Sequence, residues 1–122
     1  DNESFPGASA HLKSALEQLS RKTNPDYRNS LKESISAVES ACCAITNSKS
    51  ATLGQALKEL AKTHDLHGAL QEGSDKLYGY TSDGGGSRHS MVDEPNLKQE
   101  DAVYFLISCS AFINDLRVKT KK

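Results

Sequence analysis

Arg88 and His89 stand side by side in a polar stretch, and together they are the pair in this sequence best suited to chemistry. An arginine offers a fixed fork of N–H donors that matches the oxygens of a phosphate. A histidine can give or take a proton near neutral pH. With both at the mouth of a helix, RNA can be cleaved without a metal. The imidazole deprotonates the 2′-hydroxyl or protonates the leaving oxygen, and the guanidinium stabilises the charge that builds on phosphorus. Tyr78, Tyr80, Ser82, Asp83 and Asp93 lie close by in sequence as stacking or orienting groups. The plain alternative is a surface Arg-His pair beside a loop.

A second set of polar residues belongs to the stretch near Asp26–Thr46. Arg28, Asn29 and Glu33, with Glu39 further along, fall near one stripe at helical spacing. If that face meets the Arg88 loop, a glutamate there can hold the guanidinium; otherwise it is a solvated face whose charges pair locally. The remaining candidates are weaker. His64 and His67 could share a helix face, but Asp65-Leu66-His67-Gly68 reads as a junction and no third ligand is near. His11 sits on a mixed face and carries no signal. Gly84-Gly85-Gly86 lacks the preceding strand and the following Lys-Ser or Lys-Thr of a phosphate loop. No metal site and no cofactor is expected.

The elements that position these residues follow from hydrophobic periodicity. Ala8, Leu12, Ala15, Leu16 and Leu19 predict a helix over about 8–22, stopped by Thr23-Asn24-Pro25. Tyr27, Leu31, Ile35 or Ser34, Val38, Cys42 and Ile45 predict a long helix from near Asp26 to Thr46, capped by Asn24 or Asp26. Leu53, Ala56, Leu57, Leu60 and Ala61 predict a third over 53–64, and Leu66, Ala69, Leu70, Leu77 and Tyr78 a short fourth over 66–78. The glycine-bearing stretch 79–89 cannot stay helical and reads as a loop. A last helix is expected over about 97–118, with Ala102, Phe105, Leu106, Cys109, Phe112, Ile113 and Leu116 inward and Asn96 with Gln99 as a capping box. There is no convincing strand, so the expected class is all-α, about five helices in one domain spanning 1–122.

Composition bounds the partners. Fifteen basic and 16 acidic residues leave a net charge of −1, so no global field draws the chain to nucleic acid or to an anionic membrane. Any RNA contact must come from a local cluster. Only 36% of residues are hydrophobic and there is no Trp, a thin core that favours packing against a second copy or against the rest of a longer parent chain. No apolar run approaches the roughly 20 residues that span a bilayer, so no membrane partner is expected. Cys42, Cys43 and Cys109 match no zinc spacing and read as reduced thiols within helices, which fits a cytoplasmic location. The start at Asp1 rather than Met suggests a piece of something longer.

Two long stretches resemble one family. Residues 24–39, Asn-Pro-Asp-Tyr-Arg-Asn-Ser-Leu-Lys-Glu-Ser-Ile-Ser-Ala-Val-Glu, and 77–89, Leu-Tyr-Gly-Tyr-Thr-Ser-Asp-Gly-Gly-Gly-Ser-Arg-His, resemble HEPN-like domains of the bacterial abortive-infection, AbiJ-like type. The likeness continues through Asp93-Glu94-Pro95-Asn96 and Cys109-Ser-Ala-Phe-Ile-Asn114 and covers the chain from about Phe5 onward. It implies an antiparallel helical bundle, the C-terminal portion of a longer defence or stress-response protein, that pairs into homodimers. In active ribonucleases of this kind an Arg, a polar residue and a His four to six positions later meet their twins across the dimer interface. Arg88 matches the Arg and His89 occupies the polar position. The later His is absent, since Ser90, Met91, Val92, Asp93, Glu94 and Pro95 follow. The resemblance therefore implies either a domain that binds or cleaves RNA, or a nucleotide-bearing ligand, through Arg88 and His89, or a non-catalytic module that dimerises or docks its parent chain. A third reading makes Tyr78 and Tyr80 acceptors of a nucleotidyl group from a partner transferase.

Overall fold

The computed structural model describes residues 5–47, 53–63, 72–73 and 97–120. Among them the regular elements are four α-helices and no strand: α1 (Pro6–Ser20), α2 (Tyr27–Thr46), α3 (Leu53–Thr63) and α4 (Gln99–Lys119). The expected all-α class holds. Of the short helix expected over 66–78, only Glu72 and Gly73 are described, and both are helical.

The helix ends follow local chemistry. Pro6 opens α1, where its missing N–H has no intrahelical partner to lose. Of the two caps weighed for α2, Asp26 is the one used: its carboxylate accepts from the Asn29 backbone N–H at 3.0 Å. Asn24 instead takes a left-handed conformation, φ 52°, in the turn that reverses the chain. The turn is tied back by the Asp26 N–H, which donates to the Gln18 carbonyl at 3.0 Å. Asn47, also left-handed at φ 57°, closes α2 with its N–H on the Cys43 carbonyl. At the start of α4 the cap differs from expectation. Lys98 holds the N-cap position with Gln99 as the first helical residue, and the Asp101 carboxylate accepts from the Lys98 N–H at 3.0 Å; Asn96, the other half of the expected box, lies outside the described residues. An anionic group here also suits the positive end of the helix.

α1 and α2 form an antiparallel hairpin around an unusually small-residue face. Ser30, Ser34, Ala37 and Ala41 lie at spacings of four, three and four on α2, and all four are fully buried. Ser30 Oγ donates to the Ala15 carbonyl of α1 at 2.7 Å, so the two backbones approach closely there. At the far end of the hairpin a Cβ on Gly7 would fall 2.5 Å from Ser40 Oγ. The adjoining arc of α2, Leu31, Ile35, Val38 and Cys42, belongs to the main core. There it meets Leu57 and Leu60 of α3 and Phe105, Cys109, Phe112, Ile113 and Leu116 of α4. α2 packs against all three other helices and is the axle of the fold.

Two expectations about inward faces change. Leu16, placed on the apolar stripe of α1, is 52% exposed, because Ala15 and Leu19 take the inward positions. Leu106 is half-buried rather than inward.

Candidate functional site

Arg88, His89, Tyr78, Tyr80, Ser82, Asp83 and Asp93 lie outside the described residues. What can be built from the residues upward is the supporting stripe on α2. Its helix is set by the Asp26 cap and by the buried arc Leu31–Cys42, which turns Asn29 and Glu33 toward the edge of the hairpin. Arg28 is exposed, one position before Asn29; Asn29 and Glu33 are half-buried.

The hairpin register joins this stripe to a matching one on α1. On α2, Asn29, Glu33, Ser36 and Ser40 recur at spacings of four, three and four, and all are half-buried. On α1, His11, Ser14 and Gln18 are half-buried at the same helical spacing, with Gly7 one turn before them. The two rows form a polar seam along one edge of the α1–α2 hairpin. At its centre His11 Nδ1 lies 2.6 Å from Glu33 Oε1, with the two side chains 41% and 26% exposed. An ionised carboxylate can only accept, so this contact places a proton on Nδ1 and, in the neutral ring, leaves the lone pair on Nε2. A carboxylate that fixes an imidazole in this way is the arrangement by which a histidine is oriented for proton transfer.

His11 is thus the group that sequence reading passed over. Nothing within α1 marks it; the signal lies in a carboxylate 22 positions away that only the hairpin brings near. Glu33, expected to support the Arg88 guanidinium, has the His11 imidazole as its partner among the described residues.

Glu39 lies about one and two-thirds turns beyond Glu33, which carries it off the stripe expected for it, and it is exposed. Loss of hydration raises its carboxyl above the usual 4.5, and the nearby His11 charge opposes that rise. Cys42 is chemically quiet: burial, then the neighbouring Cys43 and Glu39, push its thiol up to about 12. Cys42 and Cys109 are buried and Cys43 is half-buried, all three as thiols outside any disulfide. Among the described residues no group of His, Cys, Asp and Glu could hold a metal ion, and no helix is long and apolar enough to cross a membrane.

No family model, curated protein or solved structure matches the chain.

Proposed function

We propose that this chain is a HEPN-like helical domain of a bacterial defence or stress-response protein that binds or cleaves RNA, without a metal, through Arg88 and His89. Support comes first from residue chemistry, a guanidinium beside an imidazole in a glycine-bearing segment. The structural observation that carries the reading furthest is the polar seam of the α1–α2 hairpin. Asn29 and Glu33 lie along it, Arg28 adjoins it, and Glu33 holds the His11 imidazole with Nδ1 protonated. A domain whose second motif histidine is missing has in this pair a further imidazole already oriented by a carboxylate. In the proposed reaction the ribose 2′-oxygen attacks phosphorus as the bond to the 5′-oxygen breaks. Arg88 stabilises the charge on the phosphate, and His89 takes the 2′-hydroxyl proton or gives one to the leaving 5′-oxygen, water serving the other end.

Incubating the purified chain with total RNA, with and without EDTA, tests this directly. Binding or cleavage that survives EDTA and is lost in an Arg88→Ala, His89→Ala double variant is the expected result. The same RNA affinity and cleavage rate in both proteins would overturn it.

A second reading, a non-catalytic dimerisation or docking module of a larger protein, is favoured by a different observation. Large apolar side chains of α4, Tyr104, Ile107 and Val118, point away from the core and are exposed.

A further inference from the structure

The connection between α1 and α2, with the first two turns of α2, holds a charge imbalance that neither the core nor the polar seam explains. Residues 21–32 contain four cations, Arg21, Lys22, Arg28 and Lys32, against one carboxylate, Asp26. The stretch is net +3 in a chain of net −1, so the rest of the chain is net −4. All four cations are exposed. The one carboxylate is engaged at the helix start, where it accepts from the Asn29 N–H at 3.0 Å. Of the acids flanking the stretch, Glu33 is held by His11 and Glu17 is exposed on α1. Arg21, Lys22 and Lys32 take part in no ion pair among the described residues.

Helix stability accounts for only half of this set. Arg21 and Lys22, just past the end of α1, suit the negative end of that helix. Arg28 stands in the first turn of α2, at its positive end, and no acidic residue shares that turn. Lys32 follows one turn later on the same face, away from Ser30 and Ser34, which pack toward α1. Cations at a helix start oppose its dipole, and an anionic partner reverses that sign. The backbone beneath them is fixed. Asn24 turns the chain in the left-handed region, and the Asp26 N–H ties the turn to the Gln18 carbonyl.

We infer that this tip of the α1–α2 hairpin is an anchor for the sugar-phosphate backbone of single-stranded RNA, additional to Arg88 and His89. It rests on the RNA reading above and names where a second part of the strand is held. Exposed cations strung along a connection and two helical turns do not converge on one point, as the donors of a free-phosphate site do. They suit a polyanion, whose condensed counterions they release. An anionic membrane is held by such charges together with apolar side chains that enter it. Here Leu31, the large aliphatic residue of the stretch, is fully buried.

Anisotropy of a fluorescent single-stranded RNA with the intact chain, repeated over a series of salt concentrations, provides the test. In the Arg21→Gln, Lys22→Gln, Lys32→Gln triple variant, affinity should fall at least about tenfold at about 0.1 M salt. The slope of log affinity against log salt should become shallower by about 2, since each phosphate contact on a single strand contributes about 0.7. The three side chains are exposed, so the variant keeps its helical circular dichroism. Lys22→Arg with Lys32→Arg, which keeps the charges, should bind as the parent does. Unchanged affinity and slope in the triple variant, with binding lost in Arg88→Ala, His89→Ala, overturns the anchor and leaves the RNA reading standing. Loss in the triple variant alone supports the anchor and takes the RNA contact away from Arg88 and His89. A parent that binds no RNA, or binds anionic vesicles in its place, overturns both.

Discussion

Two serines one turn apart on α2 are both fully buried, yet they stand in opposite energetic positions. Ser30 Oγ donates to the Ala15 carbonyl, whereas Ser34 Oγ has no hydrogen-bond partner among the described residues. Ser30→Ala removes a made bond and should cost about 1 kcal/mol, while Ser34→Ala removes an unmade one and should stabilise by up to about 1 kcal/mol. Urea unfolding of the two variants checks this; equal effects would show that Ser34 finds a partner in solution. Glu39 provides a second residue-scale prediction. Its folded-state pKa is raised, so the native chain binds more protons than the unfolded one in the window above 4.5. Stability from this group is therefore present at acid pH and lost as pH rises through the raised value. Glu39→Gln should accordingly raise the unfolding midpoint at pH 7 relative to the parent and leave it little changed at pH 4. A variant less stable at pH 7 would contradict the assignment. The same scale shows why part of the candidate site was not legible. His11 and Glu33 carry no joint signature in sequence, because their pairing exists only through the register of the hairpin.

At the scale of elements, helix existence was legible and helix faces only partly so. α3 and the inward row of α4 follow their hydrophobic spacing, since bulky aliphatic and aromatic side chains at intervals of three and four have one way to leave water. α2 departs from that logic. Its face toward α1 is Ser30, Ser34, Ala37 and Ala41, residues that read as polar or neutral in sequence but permit close backbone approach. α4 departs in the other direction, with apolar residues on both sides, so a single periodic stripe described only its inward half. The α2 N-terminus is set by one side chain. Asp26→Ala should cost about 1 kcal/mol, as loss of a capping carboxylate does, and thermal unfolding with helical circular dichroism as readout measures it. An unchanged midpoint would mean that the tie from the Asp26 N–H to the Gln18 carbonyl suffices to hold the turn.

At the scale of the whole molecule, the described residues form a core around α2, with a polar seam along one edge of the α1–α2 hairpin and an apolar stripe on the outside of α4. The composition already implied a thin core with surface to spare, and the exposed α4 stripe is where that surplus is found. The net charge of −1 gives no general attraction for nucleic acid. RNA affinity, if it resides in the Arg88 segment, must therefore be local and must respond sharply to those two side chains. The most direct measurement is the affinity of the intact chain for a fluorescent single-stranded RNA by anisotropy, compared with the Arg88→Ala, His89→Ala double variant at one fixed salt concentration. The account predicts saturable binding by the parent and at least about a tenfold loss in the variant, as befits removal of a charge-assisted phosphate contact. Identical affinities, or no binding by the parent, would contradict it.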